Sequence, residues 1–149
     1  MRAVVQRVSQ AGVDTDGARL GEIGPGLLVY LGIGRDDTSD DLGYMVNKIR
    51  NLRVFNDAEG KMNLNVAQVG GSCLVVSAFT TQGDARKGHR PAYSAAAEPE
   101  LAEQLYDQFC EQLRATGLTV ATGRFRAKMA VQSVNDGPIC VLIDSHKTF

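Results

Sequence analysis

The chain has 149 residues, 44% of them apolar and 22% charged, and sixteen Lys plus Arg against seventeen Asp plus Glu leave a formal net charge of -1. That is the balance of a single globular domain, 1–149, and a chain of this length hides about 70% of its unfolded surface, so it needs neither a metal staple nor disulfides to hold a core. It excludes a partner held by bulk charge, such as non-specific duplex DNA, and leaves room for a local basic patch.

Three cysteines, Cys73, Cys110 and Cys140, form no C-x-x-C pair and are odd in number, which argues against a secreted disulfide scaffold. The longest mostly apolar run, Gly26 to Ile33, is too short to span a bilayer, and Arg2, Gln6 and Arg7 interrupt the apolar N-terminus. The expected compartment is the cytoplasm, with no membrane partner.

Arg2 to Val13 and Gly26 to Ile33 are β-branched and apolar, separated by the turn signals Asp14-Thr15-Asp16-Gly17 and Gly21-Glu22-Ile23-Gly24-Pro25-Gly26. This predicts an opening meander of antiparallel strands rather than βαβ units. From Asp36 to Leu52 the period changes: Leu42, Met45, Val46, Ile49 and Leu52 share one helical stripe. Thr38 or Ser39 can cap this helix, and Asp40 and Asp41 suit the positive end of its dipole.

Arg53-Val54-Phe55 reads as a short strand, Asn56 to Gly60 as a turn, and Ser72 to Thr80 as a strand buried on both faces. Gln82 to Ala97 has no period and reads as a long loop, a kind of segment that is usually functional or disordered. A second helix is predicted from Pro99 to Gly117, with Leu101, Leu105, Phe109 and Leu113 repeating every four residues. Leu118 to Phe125, Met129 to Val134 and Ile139 to Asp144 read as three more strands. The fold class is α+β: a mostly antiparallel, barrel-like sheet with two main helices.

The usual catalytic signatures are missing: there is no Walker loop, no G-x-G-x-x-G, no H-E-x-x-H and no G-x-S-x-G. The only histidines, His89 and His146, have no neighbour at metal-ligand spacing, so no metal and no cofactor is expected. Cys73 and Cys110 fall in apolar strand and helix stretches and read as core residues. Two segments break the pattern around them. In Ser77-Ala78-Phe79-Thr80-Thr81 a hydrophobic strand ends in hydroxyls flanking an aromatic ring. Asn135-Asp136-Gly137-Pro138 lies between two apolar strands, and on its residues alone it reads first as a hairpin turn.

Ser77-Ala78-Phe79-Thr80-Thr81 resembles the S-Q-F-T-L motif of the D-aminoacyl-tRNA deacylases, and Asn135-Asp136-Gly137-Pro138-Ile139-Cys140 resembles their N-x-G-P-x-T motif. The opening Met1 to Val8, Gly21 to Leu28, Gly60 to Leu64 and Arg86 to Pro91 are similar to the same family in the same order, so the resemblance spans nearly the whole chain. It implies the deacylase fold and a homodimer that hydrolyses the ester of D-aminoacyl-tRNA, and of mischarged glycyl-tRNA, at two sites on the dimer interface. It also implies that Gly137-Pro138 is a cis peptide that enters the partner's site and excludes an L side chain there. Glycine, with no side chain to exclude, would pass such a filter.

The resemblance assigns the reacting site to Ser77, Phe79 and Thr80. Main-chain N–H groups near Phe79 and Thr80 would hold the substrate, Phe79 would help form the pocket floor, and Thr80, with no base identified, would position rather than attack. Arg86, Lys87 and Arg90 are the candidates for holding the tRNA 3′ end. Arg124, Arg126 and Lys128 form a second basic concentration that could equally be solvated surface. The sequence departs from the family motifs at Ala78, Thr81 and Cys140. Those departures leave open a non-catalytic binder of RNA 3′ ends and a thiol hydrolase using Cys140.

Overall fold

The computed structural model describes residues 1–149. Its first strand, β1 (Arg2–Thr15), turns at Asp16 and Gly17, both at positive φ, into β2 (Ala18–Ile23), and β3 (Gly26–Gly32) follows. The expected meander is not formed. Ala11 pairs with Ile23 and Val8 with Gly26, three residues further along on each side, so one antiparallel register runs from β2 into β3. Gly24-Pro25 interrupts this strand without reversing it, because proline removes a ladder donor but leaves the chain extended. The result is a single long hairpin.

From β3 the chain crosses through helix α1 (Ser39–Asn51) and the small hairpin β4 (Phe55–Asn56) and β5 (Met62–Leu64) to β6 (Ser72–Ser77). β6 lies parallel to β3. After a single 3-10 turn (Phe79–Gln82) and the irregular residues 83–98, helix α2 (Pro99–Ala115) carries the chain over to β7 (Val120–Thr122), parallel to β6. Both crossovers are the βαβ units that the turn signals argued against. Parallel neighbours require a long connection, and the two helices supply it.

The last strand, β8 (Ala130–Asp144), returns along the free side of β1 in antiparallel register. The mixed sheet is therefore ordered β8, β1, β2 with β3, β6, β7, and it curls nearly into a barrel. Antiparallel pairing dominates around β1, as expected. Both helices lie against one face.

Each helix follows from its buried stripe. Leu42, Met45, Val46 and Ile49 of α1 are buried as the spacing predicts; Thr38 is the N-cap, and its N–H donates to the Asp41 carboxylate at 2.8 Å. In α2 the stripe is Ala102, Leu105, Tyr106, Phe109, Cys110 and Leu113, while Leu101, expected in the core, is 37% exposed. Steps of four residues drift from a 3.6-residue turn, so a run of such steps leaves the buried face at its end. Gly117, at φ +91°, ends the helix.

The sheet separates two apolar clusters. Val5, Leu27, Val29, Cys73 and Val75 face the helices, and Val8, Val13, Leu28, Leu74 and Val76 pack on the other side, where the curled ends of β1 and β2 cover them. Cys73 and Cys110 are buried as expected, and burial pushes their thiols up to about 12 and about 11.

The largest correction concerns residues 135–138. They are not a hairpin turn; they lie inside one continuous strand, β8. From Val8 to Gln6 β1 advances two residues, while β8 advances five, from Asn135 to Cys140. The extra residues loop out as a wide bulge. No peptide in the chain is cis, so Gly137-Pro138 is trans, which corrects the implied cis linkage. Trans is favoured at X-Pro by about 0.5–1 kcal/mol, and here Gly137 makes the bend at φ +111°.

Candidate active site

A cavity of about 690 Å³ opens where β6 ends and the 3-10 turn begins, within the range of small-molecule sites. Ser77, Ala78, Phe79 and Thr80 form one side, so the three residues assigned to the reacting end lie together on one cavity wall. Ala96 and Ala97 from the end of the long loop, Tyr106 from α2, and Phe125 and Met129 from the segment before β8 enclose the rest.

The 3-10 turn is clamped to the end of β3. The Ala78 N–H donates to the Leu31 carbonyl at 2.8 Å, and the buried Gln82 amide donates to the Gly32 carbonyl at 2.9 Å. A Cβ at Gly32 would stand 2.6 Å from the Ala78 carbonyl oxygen and collide with the Thr81 hydroxyl. Gly32 is therefore needed for the turn to approach this closely. Thr81 N–H makes the first bond of the turn, to the Ala78 carbonyl at 3.1 Å, and the amides of Phe79 and Thr80 precede it. The Ser77 and Thr80 hydroxyls make no hydrogen bond within the chain.

Phe79 lines the cavity but is 57% exposed, with its ring edge-on to Tyr93 at 5.1 Å. It belongs to the 3-10 turn and not to the strand, which ends at Ser77.

The cavity holds no carboxylate, histidine or cysteine. Its two tyrosines, Tyr30 and Tyr106, are pushed above the ordinary phenol range, in both cases first by desolvation, and Tyr106 donates its hydroxyl to the Val75 carbonyl at 2.8 Å. Both are neutral at physiological pH. The one cation on the lining is Arg126. Such a site can orient an activated ester and stabilise developing charge with main-chain donors, but it has no side chain poised to exchange a proton near neutrality.

Cys140 does not line the cavity, which removes the support for a thiol mechanism. Arg86, Lys87 and Arg90 do not line it either; they lie on the exposed loop beside the turn, closed by the Asp84 and Ala92 backbone pair. The Arg86 guanidinium is paired with Asp84 at 2.6 Å, and hydrogen bonding to Arg86 holds that carboxyl well below the usual range.

The Gly137-Pro138 bulge also lies outside this chain's cavity. Gly137 and Pro138 are exposed, yet their base is anchored by two residues whose part the sequence did not reveal. Arg7, only 8% exposed, donates to the Val54 carbonyl at 2.6 Å and the Asp136 carbonyl at 3.3 Å, and pairs with the Asp136 carboxylate at 3.0 Å. Asn135 donates its amide to the Arg7 carbonyl at 2.8 Å and the Ile139 carbonyl at 3.0 Å, which closes the neck of the bulge. A Cβ on Gly137 would meet the Arg7 guanidinium at 2.8 Å.

Elsewhere the fold joins residues that no spacing in the sequence suggested. His146 Nε2 lies 2.9 Å from Asp37 and 3.5 Å from Asp41, and the Met1 amine donates to the same Asp37 oxygen at 2.5 Å. This cluster is apart from the cavity and its groups partner one another.

The profile of the D-Tyr-tRNA(Tyr) deacylase family matches residues 4–144. A D-aminoacyl-tRNA deacylase of Anaeromyxobacter dehalogenans is 58% identical over the full length of both chains, and one of Syntrophobacter fumaroxidans is 55% identical, again over both full lengths. Among solved structures, the c-Myc DNA unwinding element binding protein superposes with a TM-score of 0.92 at 42% identity, covering 97% of this chain and 98% of its own. A probable eukaryotic D-amino acid tRNA deacylase shares the fold, with a TM-score of 0.82 at 16% identity over 95% of this chain and 97% of its own. Sequence, profile and architecture agree over the whole length, and this chain belongs to the D-Tyr-tRNA(Tyr) deacylase family.

Proposed function

We propose that the chain hydrolyses the ester between a D-amino acid and the 3′ end of tRNA, in the cavity beside Ser77 to Thr80. The observation that carries this reading is a substrate-sized cavity with main-chain donors and hydroxyls at one end and no titrating acid or base. An aminoacyl ester is already activated, so the enzyme need only position it beside a water and stabilise the oxyanion. Water adds to the carbonyl carbon, the Phe79 and Thr80 amides take the developing charge, and the bond to the ribose oxygen breaks. That oxygen gains the proton, giving the free D-amino acid and tRNA. Ser77 and Thr80 orient water and substrate; a threonine hydroxyl with no base nearby is a poor nucleophile.

Chirality is selected in a homodimer. β8 pairs only with β1, which leaves a long open edge, and Val134 and Leu142 on it are 49% and 60% exposed. Such an edge favours a second copy of the chain. In that dimer the Gly137-Pro138 bulge of one subunit enters the cavity of the other and occupies the volume into which an L side chain would project. The filter requires an unyielding backbone wedge, and the Arg7 and Asn135 anchors supply it. Glycyl-tRNA passes the same filter. Lys87 and Arg90, exposed and without ion pairs, meet phosphates further along the acceptor strand.

The test is incubation with matched D-, L- and glycyl-tRNA while following release of the amino acid. Release from the D and glycyl substrates alone supports the reading. Release from L as well makes the protein a general esterase, and binding without any release makes it a non-catalytic binder of RNA 3′ ends.

A further inference from the structure

The cavity is apolar except at its strand end and at one further point. Between β7 and β8 the chain makes a tight turn closed by the Ala127 N–H donating to the Arg124 carbonyl at 3.2 Å. Phe125, Ala127 and Met129 from this segment line the cavity. Arg126 lines it too, with a backbone φ of +60°. That left-handed conformation is uncommon for a residue with a long side chain and is disfavoured by about 1–2 kcal/mol.

Nothing within the chain explains an arginine here. Its guanidinium makes no hydrogen bond and no ion pair, and the cavity contains no carboxylate. Its side chain is exposed, as are those of Arg124 and Lys128 on either side, and the one ion pair the three make is Arg124 with Asp16 at 4.0 Å. An unpaired guanidinium on the rim of an apolar cavity fits an anion carried by the ligand, and its planar fork of donors matches a phosphate oxygen pair.

We propose that Arg126 binds the phosphodiester on the 5′ side of the terminal nucleotide of the substrate and thereby positions the ester in the cavity of its own subunit. The inference rests on the reading of the site as an aminoacyl-tRNA site. Moving from the reacting carbonyl into the nucleic acid, this phosphate is the first anionic group that every such substrate shares, while the α-amino group, ribose and base are uncharged or cationic. Arg124 and Lys128 strengthen the local field. The loop cations, by contrast, lie off the cavity lining and serve the strand beyond. Arg126 is a binding and positioning residue, and the chemistry is left to the other end of the cavity.

The experiment compares two substrates that differ in this phosphate, D-aminoacyl-tRNA and 3′-O-(D-aminoacyl)adenosine, with the wild type, Arg126→Gly and Arg126→Lys. Glycine accepts the left-handed backbone, so the guanidinium is removed without straining the turn. The expected result is that the ratio of kcat/KM on tRNA to that on the adenosine ester falls about 10–100-fold in Arg126→Gly, the loss of a charged hydrogen-bonded contact, with partial recovery in Arg126→Lys. The salt dependence of log KM becomes shallower by about 0.7, one phosphate contact on a single strand.

A second readout is independent of turnover: the affinity for adenosine 5′-(methyl phosphate) relative to adenosine, expected to be above unity in the wild type and to fall in Arg126→Gly. Equal losses on both substrates, or an affinity ratio that Arg126→Gly leaves as it was, overturn the proposal. A wild type that discriminates the phosphate but hydrolyses neither ester overturns the deacylase reading instead.

Discussion

The turn at Ser77 to Gln82 and the bulge at Asn135 to Ile139 are built by the same device and face different destinations. In each, a strand leaves its ladder, buried side-chain donors fasten the departing backbone, and a glycine permits a close approach: Gln82 and Gly32 for the turn, Arg7, Asn135 and Gly137 for the bulge. The turn lines the large cavity of its own chain, and the bulge does not. In the proposed reading the residues gathered at the turn hold the ester within one subunit, and the anchored, exposed bulge acts on another copy.

Mutations at the two places should separate rate from selectivity. The largest effect is expected from Gly137→Val, where the positive φ and the 2.8 Å approach to Arg7 both oppose a side chain. The ratio of D to L hydrolysis should fall at least about 100-fold, comparable with losing a steric exclusion plus the strain of moving the backbone. Kinetics on matched tRNA substrates measure it. Retained selectivity would remove the bulge from the filter.

Arg7→Ala should come next, because it unfastens the wedge and leaves the Val54 and Asp136 carbonyls without their donor. A stability loss of about 1–3 kcal/mol is expected, with selectivity falling more than the rate on D substrates. Denaturant melts and the D to L ratio report the two parts separately. Gly32→Ala should do the reverse: by pushing the Ala78 carbonyl it displaces the turn, at an overpacking cost of about 1–3 kcal/mol, and slows hydrolysis while the D to L ratio holds.

Thr80→Ala should be milder still. If the hydroxyl only positions, the rate should fall less than about 10-fold, whereas complete loss with binding intact would make Thr80 the nucleophile.

The smallest effects concern charge. Charge reversal at Lys87 and Arg90 should raise KM at low salt and flatten its salt dependence. The Asp144 carboxyl is raised by its own burial, but hydrogen bonds from Thr148 and the His146 N–H, with the charge of Arg2, outweigh this and hold it below the ordinary value. A depressed carboxyl stabilises the fold above its unfolded value, near pH ~4, and that contribution is lost as pH falls through the folded value. Asp144→Asn should therefore lower Tm at neutral pH and make the acid side of the Tm profile shallower.

The sequence carried the helices and the grouping of Ser77 to Thr80 at a strand end well, for physical reasons. In α1 every buried position lies at three- or four-residue spacing, and Ser77 to Thr80 are contiguous in the chain, so residues that line the cavity together are read together. What it hid depends on residues far apart. Gly24-Pro25 has the composition of a reversal, and only the register of β1 shows that the strand continues. Asn135 to Pro138 has the composition of a hairpin turn, and only a long partner strand, paired on both sides of it, makes it a bulge. Arg7 and Asp136 meet across nearly the whole chain. Leu101 and Ala102 differ by a single step around α2, and the larger apolar residue is the one left outside.

The central claim is that each cavity is completed by the bulge of the other subunit, and a mixed dimer tests it most directly. One subunit carries Ala78→Trp, which fills its cavity, and the other carries Gly137→Val. If the bulge acts across the interface, the intact cavity of the second subunit meets the intact bulge of the first, and the mixed dimer hydrolyses D-aminoacyl-tRNA while rejecting the L form. If the bulge acts within its own chain or not at all, the mixed dimer handles D and L substrates with the same ratio as the Gly137→Val homodimer.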